Sequence, residues 1–184
     1  VIFFTMLFNG GLVPTYMMYT QTLHIKNTIW ALIVPSLLMN AFYVIMMRSF
    51  FTSNIPDSLV EAARIDGAGE YRILFQVVMP LSKPMVATIS LMIGLGYWND
   101  WMNSLYYITE ERLYSLQAIL NNIITSITFL QNSSQSGAAA AVASMPSTGI
   151  RMAIAVVGIL PILCIYPFFQ KYFVKGIVVG GVKG

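Results

Sequence analysis

The sequence predicts an all-α, polytopic transmembrane helical bundle, and three observations carry that prediction. Of 184 residues, 57% are hydrophobic and 9% charged, where a soluble domain would hold roughly 25% charged residues. The charges are clustered, leaving uncharged runs at 1–25, 27–47, 84–99 and 152–170. Several of these are long enough to cross a hydrocarbon core of about 30 Å at about 1.5 Å per helical residue. The basic residues fall mostly in two stretches, from Arg48 to Lys83 and from Lys171 to Lys183. The net charge of +3 comes without a basic cluster interleaved with aromatics, so it fits orientation in a lipid bilayer and excludes a nucleic-acid partner. Cys164 is the single cysteine; it has no internal disulfide partner and reads as a small apolar residue. Val1 opens inside an apolar run with neither an initiator Met nor a signal-peptide pattern, so an N-terminally truncated fragment of one membrane domain, 1–184, is expected.

Taken in order, residues 1–20 are apolar but broken by Asn9-Gly10-Gly11 and Pro14, which predicts a partial span followed by a bent segment. After the polar break at His24 to Asn27, one helix over 27–47, about 31 Å long, is the clearest span. It contains Pro35 and Asn40; Asn40 reads either as a helix-to-helix hydrogen bond or as part of a solute pathway, with Tyr43 one turn on. Residues 84–108 form the next apolar segment, interrupted by Trp98-Asn99-Asp100-Trp101. Asp100 lies about 25 Å of helix beyond Lys83, near the far interface, where the Trp and Tyr residues form an aromatic belt. Asn99 and Asp100 therefore read as interfacial groups or as solute-lining ones. From Leu113 the apolar positions 113, 116, 120, 123, 124, 127 and 130 recur at helical spacing, predicting an amphipathic helix in the extracytoplasmic segment 109–149, with 131–149 as a small-residue linker. The last span is predicted over 152–170, kinked at Pro161 and Pro167, followed by a cytoplasmic tail, 171–184.

Orientation follows from counting Lys and Arg. With 48–84 and the tail inside, that side holds Arg48, Arg64, Arg72, Lys83, Lys171, Lys175 and Lys183, against Lys26, Arg112 and Arg151 outside. The positive-inside bias then requires two crossings between loop and tail, which speaks against 113–130 as a third.

The loop between the second and third spans carries the functional signal. It holds Asp57, Glu61, Asp66 and Glu70 together with its basic residues. Pro56 suits the first position of a helix, and Asp57 and Glu61 suit the positive end of its dipole. A helix from about Pro56 to Ile65 is predicted, stopped by Asp66-Gly67 because glycine adopts the left-handed conformation that ends helices, with Gly69 as a second pivot. A second helix is predicted over Glu70 to Met79, ended by Pro80. Ala62 and Ala63 leave a low-relief patch where another surface approaches closely.

Those residues form a longer pattern. Glu61-Ala62-Ala63, three residues, Gly67, nine residues, then Val77-Val78-Met79-Pro80 resembles the EAA loop of ATP-binding-cassette (ABC) importer permeases, with Val77 and Met79 as conservative departures. Gln170 to Gly176 and Gly180-Gly181-Val182-Lys183-Gly184 look like the tail of maltose-type sugar permeases. Gly10 to Tyr16, Met47 to Phe51 and Ile165-Tyr166-Pro167 are similar to the branch serving oligosaccharides. The resemblance implies the type I importer permease fold and alternating access, in a multi-pass protein of the cell membrane that moves a carbohydrate. It implies as partners a dimer of ATPase subunits, a second permease subunit and an extracytoplasmic solute-binding protein, ATP being bound by the partner and no cofactor by this chain. Glu61, Ala62, Ala63, Asp66, Gly67 and Pro80 would couple to the ATPase, and Lys175, Gly180, Gly181 and Lys183 would lie at the ATPase interface.

No catalytic residue is expected. His24 is the only histidine, so no His/Cys/acidic cluster has metal-ligand spacing. Gly176 and Gly181 have the spacing of a phosphate loop, but Val182 stands where lysine is required. The competing class is an ion-gradient-driven secondary transporter or channel, which needs ionisable residues within its spans; Asp100 is the candidate here.

Overall fold

The computed structural model describes residues 2–8, 10–132 and 147–180. Apart from turns and short connecting segments the described residues are helical, with no strand among them. In chain order the helices are α1 Phe4–Leu7, α2 Leu12–Met17 continuing through a widened π-type turn at Met18–Thr22, α3 Trp30–Leu37, α4 Ala41–Asn54, α5 Asp57–Ile65 and α6 Glu70–Ile73. A second π-type turn, Leu74–Val78, carries α6 into α7 Met79–Leu81, followed by α8 Lys83–Trp98, α9 Met102–Tyr107, a short 3-10 turn at Glu111–Leu113, α10 Leu116–Asn132 and α11 Ser147–Gly180.

The predicted single helix over 27–47 is instead two. Pro35 removes one rung of the ladder near the end of α3. The helix restarts after Asn40, whose side chain accepts a hydrogen bond from the Phe42 N–H at 2.9 Å. Asn40 is thus the N-cap of α4, the position its residue type favours, and its side chain makes no helix-to-helix bond among the described residues. Among these residues α11 contains the one continuous helix apolar and long enough to cross a membrane, Thr148–Gln170, and the pairs α3 with α4 and α6–α7 with α8 pass the same test as bent spans. No residue of that α11 window is buried within the chain, so its apolar surface needs lipid or other protein around it. The helix runs on through Pro161 and Pro167 to Gly180.

The chain divides into two compact units. One comprises Val1–Asn9, Leu38–Gly94 and Tyr166–Gly184, the other Gly10–Leu37 and Leu95–Ile165. In the second unit the core is Tyr19, Ala31, Tyr107 and Ile108, flanked by Tyr16, Ile25 and Tyr106 among others. Tyr107 stacks on Tyr16 at 5.8 Å and meets Tyr19 edge-on at 5.7 Å between ring centroids, arrangements the ring quadrupoles favour. The Tyr97 hydroxyl donates to the Ile33 carbonyl and the Trp98 indole N–H to the Gly158 carbonyl, both at 2.9 Å. On α10 the residues Ala118, Leu120 and Ile127 are buried, while Ile119, Ile123, Ile124 and Phe129 stay exposed. The apolar stripe is therefore only half used within the chain. In the first unit the buried residues, Ala41, Ile73, Ser82, Met85 and Ala87, lie on α4, α6, α8 and the α7–α8 joint.

Candidate functional site: the α5–α7 hairpin

The hairpin belongs wholly to the first unit. Its first helix begins one residue later than predicted: Pro56 is the N-cap, in extended conformation with ψ 133°, and Asp57 is the first helical residue. Ile55 before it is extended too, as a residue preceding proline must be. At 100° per residue, Asp57, Glu61 and Ile65 line up along one side of α5, with Ser58 and Ala62 beside them. All five are exposed, whereas Val60 and Ala63, on the opposite side, are half-buried.

The turn after α5 is a complete Schellman motif. Gly67 sits at φ +78°; the Ala68 N–H donates to the Ala63 carbonyl and the Gly67 N–H to the Arg64 carbonyl, both at 3.0 Å. These are the two bonds that define the motif, and half-buried Ala68 and Ala63 occupy the positions of its usual apolar contact. Asp66 is the helix C-cap, with an exposed side chain. Gly69, by contrast, is at φ −71° and ψ 161° as the N-cap of α6, so the second pivot needs no glycine. An ion pair spans the turn, Arg64 to Glu70 at 2.9 Å. Both groups are largely exposed, so it stabilises by less than about 1 kcal/mol and acts mainly to align the two helices. Arg72 donates to Gln76 at 2.9 Å. Among the described residues Asp57, Glu61 and Asp66 have no side-chain partner, leaving the hairpin with an acidic, unpaired edge.

Pro80 does not end the second helix. The helix widens upstream, where the Met79 N–H reaches back five residues to the Leu74 carbonyl. A π-type turn relieves the clash a proline ring makes with the carbonyl four residues earlier, so the chain stays helical to Leu81. Beyond it, α6–α7 and α8 meet at 79°. A cleft of about 550 Å³ opens in this unit, lined by Phe75, Met79, Pro80, Lys83, Phe168 and Tyr172 among others. Residues the sequence reading passed over dominate the hairpin's apolar surface: Ile65 is 86% and Tyr71 82% exposed. The available signal was that both flank the Gly67 turn.

Asn40 and Tyr43 fall in the first unit, Asn99 and Asp100 in the second. Tyr43 packs edge-on against Phe42 at 5.8 Å, and the Asn99 amide donates to the Leu95 carbonyl at 2.9 Å. Asp100 Oδ1 accepts from the Asn103 N–H at 3.0 Å, a capping bond at the start of α9. Its Oδ2 accepts from the Asn103 amide and from the Ser36 hydroxyl, and its backbone carbonyl from Ser115. These bonds hold the carboxylate at the start of α9. Asp100→Ala is therefore expected to destabilise by about 1–2 kcal/mol and Asp100→Asn, which keeps one acceptor for the capping bond but puts an NH2 donor where the second oxygen accepts, by less. Thermal unfolding of the assembled protein in lipid checks this, and equal losses for both variants would remove the capping role. Lys175 and Gly180 lie near the end of α11, while Gly181 and Lys183 fall outside the described residues. Among the described residues no three His, Cys, Asp or Glu side chains gather as a metal site.

Residues 1–179 match the family described as the binding-protein-dependent transport system inner membrane component. The chain belongs to that family. It is 40% identical to the polygalacturonan/rhamnogalacturonan transport system permease protein YtcP of Bacillus subtilis (strain 168), covering 100% of this chain and 63% of that protein. It is 30% identical over 95% of its length to the melibiose/raffinose/stachyose import permease protein MelC of the same organism, covering 57% of it. Among solved structures it resembles a bacterial ABC transporter involved in the import of the acidic polysaccharide alginate, with TM-score 0.73 and 35% identity over 94% of this chain and 59% of that one. The chain thus spans less than two thirds of the length of these relatives. The family is a membrane component of transport systems, and its fold is the type I importer permease fold that the EAA-like pattern implied.

Proposed function

We propose that this chain belongs to a multi-pass permease subunit in the cell membrane, importing a carbohydrate, in particular an oligosaccharide, by alternating access. A separate dimer of ATP-binding-cassette subunits hydrolyses the ATP, a second permease completes the pathway, and an extracytoplasmic solute-binding protein delivers the sugar. The observation that carries this reading is the exposed α5–α7 hairpin, closed by a Schellman turn and presenting Ile65 and Tyr71 beside the unpaired Glu61. Large apolar side chains held in water on a rigid turn act as anchors once a partner surrounds them. The relatives named for galacturonan, raffinose-type sugars and alginate support the substrate class. An ion-gradient reading finds less support, since Asp100, the carboxylate it would need, is spent on α9 and Ser36.

In this reading differential contact of the ATPases with the hairpin shifts the permease between inward-open and outward-open states. Glu61 meets a basic group, Ala62 and Ala63 allow close approach, and Asp66, Gly67 and Pro80 shape the arm. The tail with Lys175, Gly180, Gly181 and Lys183 lies against the ATPase dimer. Replacing Ile65 and Tyr71 together by serine in the full transporter is expected to lower ATPase co-purification and uptake at least about tenfold, the effect of losing interface anchors. The stability of the permease itself should hardly change, because both side chains are exposed. Undiminished ATPase capture and ATP-dependent uptake of neutral and acidic oligosaccharides would defeat the proposal.

A further inference from the structure

The arm and the span it leads into are joined at a single residue, Ser82, between Glu70–Leu81 and Lys83–Trp98, which are bent by 79°. A bend of this size between two helices usually invites motion, because the backbone ladder is interrupted there. Two prolines, Pro80 and Pro84, flank the joint and remove the N–H groups that would otherwise bond to the carbonyls of Gln76 and Pro80.

Ser82 is nonetheless wholly buried, with 0% of its surface exposed. Its hydroxyl donates to the Val78 carbonyl at 2.7 Å. Its N–H donates to the same carbonyl at 3.0 Å and to that of Met79 at 3.2 Å, while its own carbonyl accepts from the Val86 N–H at 2.9 Å. The side-chain bond thus adds a second donor to the Val78 carbonyl at a joint where prolines have thinned the ladder, and a serine back-bonding to the residue four before it favours a bend there. The burial keeps the hydroxyl itself away from water that would compete as its partner.

We infer that Ser82 is a positioning residue which stiffens this elbow, so that displacement of the α5–α7 hairpin is delivered to α8 and not absorbed at the joint. The inference rests on the coupling role proposed for the hairpin and adds to it where the stroke is transmitted. Removing the hydroxyl leaves the Val78 carbonyl its backbone donor, so the arm still forms and the ATPase still docks. The angle is held less firmly, and each ATP moves less solute.

The test uses the complete transporter in lipid, comparing Ser82→Ala with wild type and with Ser82→Thr, which keeps the hydroxyl. Solute imported per ATP hydrolysed is expected to fall about fivefold in Ser82→Ala, the population change one net hydrogen bond carries, and to recover in Ser82→Thr. Spin labels at Gln76→Cys and Met92→Cys, with Cys164 replaced by serine, should show a broader distance distribution in Ser82→Ala than in wild type. A merely structural role would lower the amount of assembled transporter without changing the ratio or the distribution. An unchanged ratio with an unchanged distribution overturns the inference. Should Ser82→Ala fail to assemble, Ser82→Cys, of similar size and a weak donor, is judged by the same two readouts. Ile65→Ser with Tyr71→Ser, measured alongside, separates the failures. If that pair loses the ATPase and Ser82→Ala keeps its ratio, only the elbow falls; if the pair has no effect, the coupling role of the hairpin falls first.

Discussion

Gly67→Val is expected to reduce uptake by the full transporter about tenfold, whereas Gly67→Asn retains most of it. The reason lies in the backbone. At φ +78° an L-residue pays roughly 1–2 kcal/mol, a β-branched one the most, and asparagine the least because its short amide tolerates the left-handed region. A Cβ built on Gly67 meets nothing within 4 Å, so the isolated chain offers no steric objection. Two explanations for the glycine then give opposite orders. If the turn needs the dihedral angle, activity ranks Gly, Asn, Ala, Val. If a partner's surface presses against the missing side chain, Asn and Ala fail together with Val. The bonds from Ala68 to Ala63 and from Gly67 to Arg64 make the first order the expected one. Uptake and ATPase co-purification on this series decide it, and wild-type uptake by Gly67→Val would remove Gly67 from the mechanism.

What was legible in the sequence is what short-range chemistry writes there. Asp57 and Glu61 in the first half of α5 and Gly67 after its end are local signals, and α5 closes as they indicate. The hydropathy of 152–170 likewise led to the helix that α11 contains. Signals that depend on two local rules competing were misread. Pro80 read as a stop because a proline in a regular helix is one, but the Leu74–Val78 turn widens to admit it. Pro35 and Asn40 read as tolerated inside one span, whereas together they end α3 and start α4. Roles set by distant partners left no trace at all. Nothing near Asp100 in sequence announces Ser36, 64 positions away, and no pattern marks Ser82 as fully buried. A charge near an interface is equally compatible with solvent, solute or a helix N-terminus until the neighbouring backbone is placed.

A large stability effect from a polar side chain in the second unit is expected at Asn27, which no motif singles out. Its backbone lies at φ 55° and its side chain clasps a segment 82 positions away. The amide donates to the Thr109 hydroxyl at 2.7 Å, while Oδ1 accepts from the Thr109 N–H at 2.6 Å and from its hydroxyl at 3.0 Å. The Asn27 N–H adds a bond to the Tyr107 carbonyl at 3.1 Å, so the clasp closes beside the buried rings of Tyr19 and Tyr107. Asn27→Ala loses the side-chain bonds and strains the backbone, at about 2–3 kcal/mol in all. Asn27→Gly loses the same bonds but fits the dihedral angle, so it is expected to be about 1 kcal/mol less harmful, the reverse of the usual order of alanine and glycine. Asn27→Asp keeps both bonds accepted by Oδ1 and should lose least. Thermal unfolding of the assembled transporter in lipid, with protease sensitivity of the 23–29 segment as a local readout, tests the order Asn, Asp, Gly, Ala. If alanine and glycine are equally harmful, the positive φ is not held in the folded protein. If all three match wild type, the clasp contributes nothing, and the contacts of the tyrosines alone join the two segments.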